Sequence, residues 1–179
     1  MGRITISKVI AAPVETVFGY VDDYRNTTRY MKDLTKWKPT GDQTHGKGAE
    51  FEVGMRAGPS TLSSTVHINA WTENRVIGWT SRSGFKQNGK WTFKPKGDET
   101  EATFEMEYEF GGGIAGRMLG RAAEPIVRTN LERSVAELKA HTERLAKGGA
   151  KSSAKSAAKP ATKAASKSTA RKPSSSAKR

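Results

Sequence analysis

The segment 101–110, which reads EATFEMEYEF, alternates between apolar and polar residues without a single exception. Successive side chains of a β-strand point to opposite faces, so this pattern predicts a strand with one buried face and one solvated face. Strands of that kind are typical of antiparallel sheets with one covered face. We expect the glutamates of this strand to be solvated or to pair with lysines on neighbouring strands, and not to be catalytic.

The apolar face of such a sheet needs a second layer to cover it, and residues 114–147 provide one. They carry apolar residues at helical spacing and predict a long helix. Pro125 predicts a kink or a break in this helix, and the Gly148–Gly149 pair is expected to end it. The apolar stripe of the helix consists of Val127, Leu131, Val135, Leu138 and Leu145.

Shorter patterns predict the remaining elements. Residues 3–10 alternate as a strand, 13–22 and 24–32 have the spacing of short helices, and further strands follow between 34 and 96. The sequence therefore predicts an α+β domain, in which a curled antiparallel sheet of about six or seven strands wraps around the long C-terminal helix.

The charge divides the chain into two parts. Residues 1–146 carry 21 Lys and Arg and all 18 Asp and Glu, whereas 147–179 carry ten basic residues, no acidic residue and no large apolar side chain. The second segment cannot offset the entropy of ordering a chain, so we expect a disordered basic tail. The first segment has the size of a single folded domain.

Five stretches, taken in order, resemble the START-like or SRPBCC superfamily. They are ISKVIAAPVETVFGYVDDYRNTTRYM, GKGAEF, RVIGWTSRSG, GKWTFKPKGDETEATFEMEYEF and ERSVAELKAHTE. Within the superfamily, the chain looks most like the polyketide cyclase/dehydrase and lipid-transport group, which includes coenzyme Q-binding proteins. This resemblance implies the helix-grip fold over 1–146. It also implies an apolar small molecule held between sheet and helix, which some members transform chemically and others only carry.

The alternation and the helical spacing indicate which side chains face such a molecule. Ala122, Thr129 and Asn130 are small or polar where a filled core would take leucine, so they predict a cavity. Met31 and Trp37 are candidates for its lid. The aromatic content favours an aromatic or isoprenoid ligand with a polar end. The alternative is that these positions face solvent and the core is full. The candidate ligand-binding residues are Met31, Trp37, Phe51, Val53, Met55, Trp79, Trp91, Phe93, Phe104, Met106, Tyr108, Met118, Ala122, Ile126, Thr129 and Asn130.

Catalytic chemistry has little support in the sequence. The chain contains no cysteine, and none of its three histidines lies at a metal-ligand spacing from another histidine or an acid, so we expect neither a metal nor a cofactor. His67, as a base, and Tyr108 are the candidates if the cavity is catalytic. An enzyme that acts mainly by shaping its substrate leaves little trace in a sequence, so a polyketide cyclase/dehydrase-type enzyme is the alternative function.

The basic tail resembles in composition the Lys- and Ala-rich tails of linker histones and some nucleoid proteins. Its cations would neutralise phosphates without sequence preference, and it has no aromatic residue on which a base could stack. Attraction to an anionic membrane surface and a solubilising role without a partner are alternatives. A third alternative is a nucleoid-associated protein that acts through the tail alone. The residues expected to contact nucleic acid are Lys151, Lys155, Lys159, Lys163, Lys167, Arg171 and Lys172.

Targeting signals are not apparent. Residues 1–13 contain no long apolar run, and no stretch reaches the roughly 20 apolar residues that a membrane span needs. We therefore expect neither a signal peptide nor a transmembrane segment, and a cytoplasmic protein that associates with the nucleoid if the tail binds DNA.

Overall fold

The computed structural model describes residues 2–57 and 60–157, and at positions 57, 60, 117 and 149–157 it describes the main chain only. A short 3-10 turn, Tyr24–Asn26, links the first two helices. The elements in chain order are β1 (Gly2–Ile10), α1 (Val14–Asp22), α2 (Thr27–Tyr30), β2 (Leu34–Pro39), β3 (Glu50–Ala57), β4 (Ser60–Thr72), β5 (Val76–Gly84), β6 (Lys86–Lys96), β7 (Glu99–Glu109) and α3 (Gly113–Ala157).

The seven strands form one antiparallel sheet in the order β1-β7-β6-β5-β4-β3-β2. From β2 to β7 each strand pairs with the next one along the chain. Strand β1 instead pairs along its whole length with β7, and Ile4 lies opposite Met106. Strands β1 and β2 therefore form opposite edges of the sheet, and α1 and α2 connect them. The predicted α+β architecture, a curled sheet with a long C-terminal helix, is confirmed.

Strand β7 shows the predicted alternation. On its outer face the glutamates pair with bases of adjacent strands: Glu105 with Lys90, and Glu101 Oε2 with Lys96 Nζ at 3.1 Å. Exposed ion pairs of this kind contribute little to stability, so the apolar face contributes most of what holds β7 in place. The buried side chains of that face are Ala102, Phe104, Met106 and Tyr108.

The second half of α3 covers the concave face of the sheet. Leu131, Val135 and Leu138 are buried there and share one core with strands β1 and β7 and helix α1. The prediction that Leu145 extends this stripe is wrong, because Leu145 is 53% exposed. Thr142 is buried instead, and its Oγ1 donates to the Leu138 carbonyl at 2.9 Å.

Helix α3 is continuous. It does not break at Pro125, so of the predicted kink or break the break is wrong, although proline removes one N–H from the helix ladder. It also does not end at Gly148–Gly149 but continues to Ala157. Glycine disfavours a helix by only about 1 kcal/mol relative to alanine, which weakens the helix without ending it. Within the described residues, no helix is long and apolar enough to cross a membrane.

The basic tail is described only at its start. Residues 147–157 form the last turns of α3, including the main chain of Lys151 and Lys155. The other predicted nucleic-acid contacts lie outside the described residues; they are Lys159, Lys163, Lys167, Arg171 and Lys172.

Candidate functional site

A cavity of about 510 Å³ lies between the concave face of the sheet and the first half of α3. Strands β2 to β7 and the segment between α2 and β2 form one side, and α3 forms the other. Most of the lining side chains are apolar, and the volume falls within the range of about 300–1,000 Å³ that is usual for small-molecule sites. The lining residues are Met31, Asp33, Leu34, Trp37, Val53, Met55, Arg56, Leu62, Trp79, Gln87, Phe104, Met106, Phe110, Leu119, Ala123, Ile126, Val127, Asn130, Leu131 and Ser134.

Trp79, on the central strand β5, lines the sheet side of the cavity. Its indole lies over Gly89 of β6, so closely that a Cβ added to Gly89 would be 2.0 Å from Trp79 Cζ2. The ring centroids of Trp37 and Phe104 are 6.1 Å and 5.9 Å from that of Trp79. Gly89 thus provides the space in which the indole lies against the sheet.

On the helix side, the lining residues recur at helical spacing and belong to one face of α3. Leu119 and Ile126 line the cavity and yet are 57% and 66% exposed, so the cavity opens to solvent along this edge of α3. Leu131 is buried, and the cavity closes toward it. Ala123 and Ser134 are small residues on this face, and they leave the volume that larger side chains would fill.

The interior carries uncharged polar groups, of which Gln87 is the best defined. Gln87 Nε2 donates to Ser64 Oγ at 2.9 Å, and the Gln87 main-chain N–H donates to Ser81 Oγ at 3.0 Å. On the helix side, Ser134 Oγ donates to the Asn130 carbonyl at 2.9 Å. These contacts hold polar side chains in fixed positions within a largely apolar wall.

Charge is confined to one part of the wall. Asp33 and Arg56 are the charged residues among the described residues that line the cavity, and they adjoin each other, since the Arg56 main-chain N–H donates to the Asp33 carbonyl at 2.8 Å. They lie where β2 begins and β3 ends, at the edge of the sheet. The two opposite charges leave this part of the cavity wall close to neutral overall.

A smaller space of about 40 Å³ adjoins the cavity, and Met31, Trp37 and Trp79 line both. Its size suits water and not an organic ligand. Tyr30 lies in its wall, and burial raises the pKa of the Tyr30 hydroxyl.

The predicted ligand-binding residues fall into four groups, of which the last, on α3, is described in the next paragraph. Phe51 and Trp91 line the smaller space, and Phe93 packs edge-on against Phe18 in the core, with ring centroids 5.6 Å apart. Tyr108 is buried against Gly2, next to Phe110. Nine predicted residues line the large cavity: Met31, Trp37, Val53, Met55, Trp79, Phe104, Met106, Ile126 and Asn130.

Three helix predictions need correction, because the exposed residues Met118, Ala122 and Thr129 are not among the described residues that line the cavity. Each lies one position before a residue that does line the cavity, and one residue rotates a helix by about 100°. The face that borders the cavity consists of Leu119, Ala123, Ile126, Val127, Asn130, Leu131 and Ser134.

Sequence reasoning also missed Gln87, although a signal for it exists. Gln87 shares the alternation of β6 with Gly89, Trp91 and Phe93, all of which are buried on the concave face. The strand period therefore places Gln87 inside, although glutamine is usually exposed.

The two catalytic candidates are not among the described residues that line the cavity. His67 is on the outer face, between Glu50 and Thr80 of the adjacent strands, whereas its neighbours Val66 and Ile68 are buried inside. Tyr108 is buried near α3. Burial raises the pKa of its hydroxyl, Glu124 raises it further and Arg128 lowers it. Neither side chain is placed to act on a molecule in the cavity.

Comparisons with known proteins agree with this architecture. The family model for polyketide cyclase/dehydrase and lipid transport matches residues 1–143. No curated protein matches the sequence.

Three solved structures illustrate the likeness in fold. A protein from Thermus thermophilus is 19% identical with a TM-score of 0.69, covering 79% of this chain and 97% of its own. A START superfamily protein from Mycobacterium smegmatis is 17% identical with a TM-score of 0.64, covering 80% and 98%. The Zhui aromatase/cyclase from Streptomyces sp. R1128 is 13% identical with a TM-score of 0.68, covering 80% and 94%.

Proposed function

The chain belongs to the polyketide cyclase/dehydrase and lipid-transport family, with a START-like fold, and from this premise we propose that it binds or carries a hydrophobic small molecule in its 510 Å³ cavity. The lipid, isoprenoid and polyketide-like classes all fit an apolar site of this size. The cavity itself is the observation that carries the proposal.

The energetics of an empty cavity support this role. At about 24 cal/mol per Å³, a dry cavity of this volume would cost about 12 kcal/mol, as much as the whole stability of a typical domain. Water can enter past Leu119 and Ile126, but apolar walls offer it few hydrogen bonds. A ligand that displaces this water gains about 0.8 kcal/mol for each methylene it buries.

A binding titration tests the proposal. N-phenyl-naphthylamine is neutral and apolar, and its fluorescence rises when it leaves water. We expect saturable binding together with quenching of tryptophan emission, because Trp37 and Trp79 line the cavity. Organic extraction of residues 1–157 purified from the native host, followed by mass spectrometry, would identify a bound molecule. Absence of saturable binding for a broad lipid and polyketide panel would contradict the proposal.

Cyclase/dehydrase-type catalysis is the second candidate. One observation favours it: Asp33 and Arg56 bring a carboxylate and a cation to the wall of the cavity. A carboxylate can remove a proton next to a carbonyl, and a cation can stabilise the enolate that results. If a polyketide analogue is converted, Asp33→Asn should abolish conversion and leave binding intact, whereas equal loss of both would assign Asp33 to binding.

The tail adds a separate proposal that depends on its sequence alone. Its ten basic residues would give non-specific association with nucleic acid in a cytoplasmic protein. The alternatives, an anionic lipid surface or no partner, are separated by comparing duplex DNA with anionic vesicles.

A further inference from the structure

The uncharged polar groups of the cavity carry information about the ligand. Gln87 is only 7% exposed, and its carboxamide is held by the hydrogen bond from Nε2 to Ser64 Oγ. The Gln87 main chain is fixed in turn by its bond to Ser81 Oγ. A side chain held at both ends presents its remaining polar atom in a defined direction.

That remaining atom is the carboxamide oxygen, Gln87 Oε1. No described residue donates a hydrogen bond to Oε1. It is also not one of the fully buried polar atoms without a partner, so part of its surface is accessible. Gln87 lines the cavity and its side chain is on the buried, concave face of β6, so we infer that Oε1 faces whatever occupies the cavity. Burying an amide oxygen without a hydrogen-bond partner costs free energy, so the occupant should supply a donor.

A hydroxyl group satisfies this atom better than other polar groups. It donates to Oε1, and because a hydroxyl also accepts, it would pair equally well with the carboxamide turned by 180°. A carboxylate beside Oε1 would place two acceptors together and would lose its hydration. Among the described residues of the wall, the opposite charge is that of Arg56, which adjoins Asp33 at the sheet edge.

We propose that the cavity selects an uncharged, largely apolar ligand whose hydroxyl group donates to Gln87 Oε1. Asn130 lies on the helix side of the same cavity with a second carboxamide. This inference rests on the proposed function, since it concerns the specificity of the same site.

Four pyrene probes that share one skeleton test the inference: butylpyrene, pyrenebutanol, pyrenebutyric acid and pyrenebutylamine. Energy transfer from tryptophan to pyrene reports binding to the full-length chain. We expect pyrenebutanol to bind about tenfold more tightly than butylpyrene, the difference that one hydrogen bond to a buried group typically makes. The acid and the amine should bind more weakly than the alcohol.

Variants assign the preference to Gln87. Gln87→Leu should remove the advantage of pyrenebutanol over butylpyrene. Lys86→Gln, on the opposite face of β6, is the matched control and should keep the tenfold preference. Because Gln87→Leu leaves Ser64 without its partner, Gln87→Glu provides a second test, and we expect it to weaken every probe that lacks a donor.

The outcomes distinguish a failure of the proposed function from a failure of the hydroxyl inference. If no pyrene probe binds, the proposed function fails. If butylpyrene binds as tightly as pyrenebutanol, the cavity is a ligand site but the hydroxyl inference is wrong. If pyrenebutyric acid binds most tightly and Arg56→Gln removes that preference, the ligand's head lies at the sheet edge and the inference is overturned.

Discussion

Replacing Gly89 with alanine tests whether the Trp79 indole lies over Gly89 and whether its position determines the shape of the cavity. The new methyl carbon would lie 2.0 Å from Cζ2 and 2.3 Å from Cε2 of Trp79. Carbon atoms in contact are about 3.5–4.0 Å apart, so the indole would have to move by about 1.5 Å. Trp37 and Phe104 flank the ring, so we expect it to move away from β6 into the cavity.

The expected effect follows from this overlap. Overpacking a well-packed site costs about 1–3 kcal/mol, and each kcal/mol lowers the Tm of a domain of this size by about 4 °C. We therefore expect Gly89→Ala to lower the Tm by about 4–12 °C. Gly19→Ala is the matched control, because a Cβ there meets no atom within 4 Å. It lies inside α1, where alanine is favoured over glycine by about 0.5–1 kcal/mol, and should raise the Tm by a few degrees.

Thermal unfolding followed by circular dichroism measures both changes, and titration with N-phenyl-naphthylamine measures the cavity. Gly89→Ala should weaken binding of this probe, whereas Gly19→Ala should not. If Gly89→Ala leaves the Tm and the affinity at their original values, then the indole does not lie over Gly89, and the derivation of the cavity's shape is refuted.

Three further predictions concern the helix and the tail. Ala123→Trp places an indole in the cavity and should abolish binding of N-phenyl-naphthylamine, while the exposed Ala122→Trp should leave it intact; equal effects would contradict the helix face described above. The pKa of Glu143 is lowered chiefly by its hydrogen bond from Lys139. The ionised carboxylate therefore stabilises the fold at pH values above the ordinary pKa of glutamate. This stabilisation is lost as the pH falls through the lowered pKa of the folded state. Glu143→Gln should thus reduce the free energy of unfolding at neutral pH and not at pH about 2, as urea unfolding would show. Deleting 158–179, which removes seven basic residues, should reduce the slope of log K for duplex DNA against log salt by up to about 6; an unchanged slope would exclude residues 158–179 as the binding segment.

The elements that sequence predicted best are those whose pattern is local. The strand period fixed which side of β7 is buried, because each residue's face follows from that of its neighbour. The helical stripe Leu131, Val135 and Leu138 was found for the same reason.

The cavity was harder to predict, because it depends on where two layers separate. Met118 and Ala122 are next to Leu119 and Ala123 in sequence, and only the packing of α3 on the sheet decides which pair faces inward. Gln87 was missed because a polar residue does not by itself indicate a buried position. Its bond to Ser64 joins residues that are 23 positions apart, and no local pattern shows it.

The pairing of β1 with β7 has a consequence for folding during synthesis of the chain. Ile4 lies opposite Met106, so the first strand of this sheet to be synthesised pairs with the last. At about 5–20 residues per second, β1 waits between about 5 and 20 s for its partner, and α3, the other wall of the cavity, follows later still. A nascent chain that lacks α3 therefore lacks one wall of the cavity, and the proposed ligand can be enclosed only after α3 has been synthesised.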